Sequence, residues 1–154
     1  MPSWTTRKPR PGDGKGKSYA FVSRTEFETQ RSSRGFLESA EVHGELYGTP
    51  REEVERLIAE GRDVLLEIDV QGARLVKAAV PEAISIFVEP PSWEELVARL
   101  ERRGTEDEAG LRRRLETARR ELEEAPGFDH RVVNDDLARA VEEVNRILGT
   151  GSER

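Results

Sequence analysis

Two carboxylates, Glu67 and Asp69, interrupt the far end of the apolar run Val64-Leu65-Leu66-Glu67-Ile68 at spacing i, i+2. On an extended chain that spacing points both to one side. A strand buried on both faces does not tolerate two isolated acids, so the pair calls for something charged to meet it. Gln71-Gly72 then reads as a tight exit at the carboxyl end of the strand, where open α/β sheets bind ligands. Two acids at a solvent-exposed strand end are the simpler alternative. A second group is cationic. In Thr5-Thr6-Arg7-Lys8-Pro9-Arg10-Pro11-Gly12 the prolines keep the backbone extended and set the separation of Arg7 and Arg10. Two pre-positioned guanidiniums suit bidentate capture of a phosphate or carboxylate, although composition alone favours a basic, proline-stiffened tail. The third group is Arg103-Gly104-Thr105, an arginine at a helix end beside a glycine hinge, with Arg114 on the next helix. That arrangement suits a lid closing arginines over a polyphosphate. The other arginines of 92–125 alternate with glutamates and read as an ion-paired surface.

Composition limits what such groups can serve. The 154 residues suffice for one domain with a real core. A net charge of −6 with 36% charged residues argues for a soluble protein and against nonspecific nucleic-acid or acidic-membrane partners. The absence of cysteine excludes disulfides, thiolate metal sites and a cysteine nucleophile. No run approaches transmembrane length, Met1-Pro2-Ser3-Trp4 does not start a signal peptide, and the cytoplasm is the expected location. Gly12 to Ser18 has the look of a phosphate loop. The pattern G-x-x-x-x-G-K-[ST] ending at Ser18 needs glycine where Pro11 stands, and a strand-like Tyr19-Ala20-Phe21-Val22 follows where a helix should. It reads as a flexible turn.

The elements that must position these groups follow from pattern and punctuation. Ser23-Arg24-Thr25-Glu26 is a capping box for a helix that ends near Gly35, with a thin apolar face anchored by Phe27. Residues 36–42 read as a strand and 43–48 as a turn, holding an exposed His43, with a short return strand; together they suggest a small antiparallel lobe. Thr49-Pro50-Arg51-Glu52 starts a helix with Thr49 as cap, Val54, Leu57 and Ile58 as its apolar stripe and Gly61 as its stop. Next come the strand 64–68, a short helix from Ala73 to before Pro81, and a buried strand over 84–88. A helix over 92–103 turns Leu96, Val97 and Leu100 inward, and a longer one, capped at Thr105, runs to Pro126-Gly127. A strand over 131–134 and a final helix with core residues Val141, Val144, Ile147 and Leu148 complete the chain, leaving 150–154 as a disordered tail. The alternation from residue 50 onward implies a three-layer α/β fold, a parallel sheet with flanking helices.

Taken together, these segments resemble the guanylate kinases. The resemblance is carried by Ser3-x-Thr5-Thr6-Arg7-x-Pro9-Arg10-x-Gly12, Tyr19-x-Phe21-Val22-Ser23, Phe36-Leu37-Glu38, Tyr47-Gly48-Thr49, Glu67-Ile68-Asp69-Val70-Gln71-Gly72, Pro90-Pro91-Ser92, Arg103-Gly104-Thr105 and Val133-Asn134-Asp135-Asp136. It implies transfer of a phosphoryl group from ATP to GMP, with Mg2+ accompanying ATP. Arg7, Arg10, Tyr19 and Tyr47 would hold the GMP phosphate, and Ser3, Glu38, Thr49 and Glu67 would read the guanine edge. Asp69 would organise magnesium through water, Arg99, Arg103 and Arg114 would stabilise the transferring phosphoryl group, and Asn134 would lie on the adenine side. Within a domain over 1–149, residues 3–50 would be the GMP-binding lobe, 51–91 and 127–149 the core, and 92–126 the lid region.

The chain departs from that pattern in three places. Glu67 stands where the family has an aspartate, and Leu46 replaces a common tyrosine. The family also opens with a strand, a phosphate loop and a helix, about thirty residues that would stand ahead of Ser3. Two readings follow: a guanylate kinase whose sequence here starts late, or an inactive module that binds GMP or a phosphorylated protein partner. The intact GMP-site and lid residues favour the kinase.

Overall fold

The structure is a computed structural model describing residues 3–9, 13, 19–42, 44–103 and 108–149. Arg10, His43, most of the 12–18 turn, Gly104-Thr105 and the tail 150–154 lie outside the described residues, as does the side chain of Arg103. The chain divides into two compact units, Met1–Ala83 and Ile84–Arg154.

In the first unit, β1 (Ser3–Thr5), β2 (Tyr19–Phe21), β3 (Phe36–Val42) and β4 (Glu45–Pro50) form one sheet in the order β2-β1-β4-β3. The lobe is mixed where an antiparallel one is expected. β1 and β2 run parallel, while β4 is antiparallel to both its neighbours. A parallel pair needs a crossover of about a dozen residues, a length that the connection 6–18 supplies.

Helix α1 (Arg24–Ser32) starts with the capping box read from the sequence. Ser23 Oγ accepts from the Glu26 N–H at 3.2 Å, and Glu26 Oε2 accepts from the Ser23 N–H at 2.8 Å. The helix stops differently. Arg34 takes the left-handed conformation (φ 58°), its N–H reaching the Arg31 carbonyl and that of Gly35 the Gln30 carbonyl at 2.9 Å. This is a Schellman closure with arginine at the position glycine usually takes. Gly35 lets the Gln30 side chain fold over it, since a Cβ there would lie 2.3 Å from Gln30 Nε2 and would displace that amide.

β3 runs between two apolar clusters. Phe36 joins Phe27 and Leu46, with Trp4 and Val22 packed against them, and Leu37 joins Val54 and Val76. The rings of Phe27 and Phe36 stack at 4.5 Å, with Trp4 edge-on to Phe36 at 5.7 Å. Gly48 lets β4 lie against this stack, because a Cβ would sit 2.9 Å from Phe36 and 3.0 Å from Phe27.

Four local expectations are corrected by the structure. Thr49 stays in β4, so α2 (Arg51–Ala59) begins after Pro50 with no side-chain cap. Val54 and Leu57 are buried as expected and Gly61 (φ 74°) closes the helix, but Ile58 points outward at 55% exposure. Residues 64–68 are extended without a ladder partner among the described residues. They are also buried on one face only: Val64, Leu66 and Ile68 pack on the Leu37 cluster while Leu65 is 75% exposed. Helix α3 (Val70–Ala79) begins three residues earlier than read, because the Asp69 side chain caps it by accepting from the Gly72 N–H at 2.7 Å. Gln71-Gly72 is therefore the first helical turn.

The second unit contains β5 (Ile86–Glu89), α4 (Trp93–Arg103), α5 (Glu108–Glu124), a 3-10 turn over Ala125–Gly127, β6 (His130–Val133) and α6 (Leu137–Ile147). β5 and β6 are parallel, with Ile86 opposite His130 and Glu89 opposite Val133. Phe87, Ala125, Val132 and Ala140 are its buried apolar residues, and Phe128 lies edge-on to Phe87 at 5.2 Å. Along α6 the core face is Ala140, with Val144 and Ile147 half-buried, whereas Val141 and Leu148 are exposed. The small Ala140 makes the closest approach, and the stripe is rotated from the one read off the larger residues.

Gly48→Ala should destabilise the fold by about 1–3 kcal/mol through overpacking against the two phenylalanines. Gly127→Ala, with nothing within 4 Å of the added methyl, should change stability by less than about 0.5 kcal/mol. Urea unfolding of the two variants beside the parent checks the contrast.

Candidate functional site

Glu38 is the centre of the polar site in the first unit. The register of β3 against β4 shifts between Phe36 and Glu38, so that Glu38 stands directly opposite Thr49. Both residues are buried, and Thr49 Oγ1 donates to Glu38 Oε1 at 2.6 Å. The other oxygen, Oε2, faces Gly72: a Cβ there would come within 3.2 Å of it and equally near Asp69 Oδ1. A glycine in the first turn of α3 thus lets the helix start approach two carboxylates. Burial pushes the Glu38 carboxyl above its ordinary value of 4.5, the Thr49 hydroxyl opposes this, and the charge of Asp69 adds to it.

A second polar cluster is built on β1, β2 and β4. Ser3 is half-buried opposite Tyr19, and Thr5 is opposite both Phe21 and Tyr47. Thr5, fully buried, accepts from the Arg7 N–H at 3.1 Å and fixes where that side chain departs. The Arg7 guanidinium carbon lies 5.5 Å from the ring centroids of both Tyr19 and Phe21, within cation–π range. Tyr19 in turn meets Tyr47 edge-on at 6.0 Å. Arg7 donates to Asp13 from both terminal nitrogens, at 3.0 and 3.3 Å, and to the Lys8 carbonyl at 2.9 Å.

The residues singled out in the sequence therefore gather unequally. Glu38, Thr49 and Asp69 meet at the start of α3, and Arg7, Tyr19 and Tyr47 meet over β1 and β2. Glu67 is exposed on the same side of the extended segment as Asp69. In the second unit Arg99 donates from Nε to Glu95 at 2.8 Å and from Nη1 to the Asn134 carbonyl at 2.9 Å, so Asn134 engages it through its backbone. Arg114 is half-buried on α5. The sequence reading missed Phe21, Asp13 and Thr5. The period-two spacing Tyr19-x-Phe21 was the available signal, placing both rings on one face of a strand. Asp13 sits in a glycine-rich stretch, where nothing local points to a partner six residues earlier.

The guanylate kinase family model matches residues 2–150. A curated guanylate kinase of Corynebacterium jeikeium (strain K411) is 49% identical over 148 residues, which cover 95% of this chain and 79% of that protein. One from Neisseria meningitidis serogroup A is 52% identical over 146 residues, covering 95% of this chain and 71% of that one. The crystal structure of guanylate kinase from Anaplasma phagocytophilum superposes with a TM-score of 0.79 at 36% identity, over 99% of this chain and 75% of that chain. The fold is that of the α/β nucleoside monophosphate kinases. Within that class, the chain belongs to the guanylate kinase family.

Thr49→Val removes the hydroxyl donor from a buried carboxylate and should destabilise the protein by about 1–3 kcal/mol at pH 7. The folded Glu38 carboxyl titrates above its ordinary value, so the stability linked to it is complete below 4.5 and is lost as pH rises through the folded value. Loss of the hydroxyl raises that value further. The penalty should therefore shrink at pH 4, where Glu38 is protonated, and urea titrations at pH 4 and pH 7 measure the difference.

Proposed function

We propose that this chain carries the GMP site and lid of an ATP:GMP phosphotransferase acting in purine nucleotide metabolism. The observation that carries the reading is the buried Glu38 carboxylate, fixed by Thr49 at the start of α3. A carboxylate accepts from the N1–H and exocyclic amine of guanine, whereas adenine presents no donor pair there. One Glu38 oxygen already receives the Thr49 hydroxyl, and carboxylate oxygens can accept more than one hydrogen bond. Ser3 and Glu67 complete the base-reading set in this proposal. Arg7, Arg10, Tyr19 and Tyr47 hold the phosphate, at a distance from the base pocket set by the pairing of β1 with β4.

In the reaction a phosphate oxygen of GMP attacks the γ-phosphorus of ATP as the bond to the β-phosphate oxygen breaks, giving GDP and ADP. Such transfer needs positioning and charge neutralisation more than covalent work by the protein. Arg99, Arg103 and Arg114 belong to α4 and α5, the lid region over 92–126, and supply positive charge to the transferring group. Asn134 would border the adenine. The donor set suits magnesium: no cluster of three metal-ligating side chains occurs among the described residues, and Mg2+ characteristically keeps its waters and takes one or two carboxylates plus substrate phosphates. Asp69 is exposed and uses Oδ1 to cap α3, which leaves Oδ2 to accept from a metal-bound water. The metal would neutralise charge on the ATP phosphates. A cytoplasmic location, suggested by the cysteine-free and highly charged composition, is part of the same proposal.

The backbone nest and lysine that cradle the β- and γ-phosphates in this class require the run G-x-x-x-x-G-K-[ST]. These 154 residues do not contain it, since Pro11 stands at the first position of the nearest match.

Two measurements test these assignments. Glu38→Gln keeps the volume but replaces an acceptor facing the guanine by a donor, so calorimetry should find the preference for GMP over AMP collapsed. In the parent, GMP affinity should rise as pH passes upward through the elevated Glu38 value, because the ionised form is the acceptor, and the variant should lose this dependence. An undiminished preference in Glu38→Gln would place the base pocket elsewhere. In a coupled assay the 154-residue chain alone should show negligible GMP kinase turnover, far below the roughly 1–100 per second usual for kinases. Adding a strand–loop–helix segment at its N-terminus should restore turnover.

A further inference from the structure

We infer that Asp13 is a positioning residue for the nucleotide phosphate, holding Arg7 so that one chosen edge of its guanidinium meets the ligand. This rests on the reading of Arg7 as a GMP-phosphate ligand and goes beyond it by giving a role to a residue in the glycine-rich turn.

A guanidinium has five N–H donors in a fixed planar fork. Asp13 takes the end of the fork: Oδ2 accepts from Nη1 at 3.0 Å and Oδ1 from Nη2 at 3.3 Å. The other proton of Nη1 goes to the Lys8 carbonyl at 2.9 Å. Three donors are thereby committed, all on the end and the Nη1 side. The Nε–H and the second Nη2 proton point together along the remaining side, a parallel pair matched to two oxygens of a phosphate. The ring faces of Tyr19 and Phe21, each 5.5 Å from the guanidinium carbon, restrain the group further. Only 12% of the Arg7 side chain and 20% of the Asp13 side chain are exposed, so the pair is shielded from solvent competition.

The ordering of a long, rotamer-rich side chain is thus complete before the ligand arrives, which is how preorganisation raises affinity. Charge and orientation make opposite demands on Asp13. A carboxylate beside a phosphate repels it, so removing the charge would by itself strengthen phosphate binding. Orientation predicts the reverse. The sign of the effect therefore separates a positioning residue from a mere competing anion.

The test measures GMP and guanosine binding by calorimetry in the full 154-residue chain, in Asp13→Asn and in Asp13→Glu. Asp13→Asn should weaken GMP on the order of tenfold while leaving guanosine affinity unchanged, because guanosine has no phosphate to meet Arg7. Asp13→Glu, which keeps the carboxylate, should retain most of the GMP affinity. Adding Asp13→Asn to Arg7→Ala should cost nothing further, since the residue acts through the arginine. Unchanged or tighter GMP binding by Asp13→Asn overturns the inference, as does an equal loss of guanosine binding, which would mark a general structural defect. If the parent chain binds no GMP, the reading of the site itself falls; if the parent binds and Asp13→Asn binds equally, only the role of Asp13 falls.

Discussion

A carboxylate inside a small sheet is tolerable only where the surrounding atoms replace the water it has lost, and Glu38 sets that condition for the first unit. The Thr49 hydroxyl supplies one hydrogen bond, from directly across the β3–β4 ladder. Gly72 supplies room, by bringing the start of α3 to the other oxygen without a side chain in between. Neither suffices to bring the carboxyl to its ordinary titration range, and burial still dominates. An incoming ligand that offers two donors would relieve this condition. The site is thus electrostatically incomplete, and in the proposed reading a donor-bearing base completes it.

The cluster around Arg7 follows a different logic. There the charge is balanced within the protein, by Asp13 against Arg7, and what the fold contributes is direction. Parallel pairing of β1 with β2 places Tyr19 and Phe21 on one face beneath the guanidinium, and Thr5 fixes the backbone from which Arg7 leaves. The Glu38 carboxylate is held short of its optimal partners, whereas the Arg7 guanidinium is already held in place.

How far the sequence could lead depended on whether a signal was local. The capping box at Ser23 and Glu26, the stop at Gly61 and the parallel β5–β6 pair arise from neighbouring residues or simple periodicity, and they were legible. Thr49 and Asp69 each take a local role that differs from the one their neighbours suggest. Thr49 precedes a proline and an acid as a cap should, yet the buried Glu38 across the ladder competes for its hydroxyl and wins. Asp69 does become a cap, accepting from the Gly72 N–H at the start of α3. The alternating exposure of 64–69 was legible as an extended segment. Its solvent-facing side was not, since a strand shows in its own residues only that it can pair, and pairing depends on a neighbour. Arg7 with Asp13 was invisible for the same reason: an ion pair closed across a glycine-rich turn leaves no periodic trace.

The one-residue slip between Phe36 and Glu38 bears on how this protein can drift over generations. In a regular strand Phe36, Leu37 and Glu38 would alternate between two faces, and a point change would be felt on one of them. Here Phe36 enters one cluster and Leu37 the other, and the slip sets the buried Glu38 directly opposite Thr49. A deletion or insertion at this point would restore regular alternation and move the carboxylate out of register with Thr49. Changes of length along β3 should be felt more widely than size-conserving changes away from Glu38. This short segment should therefore act as a fixed ruler in the family while the helices and turns around it vary.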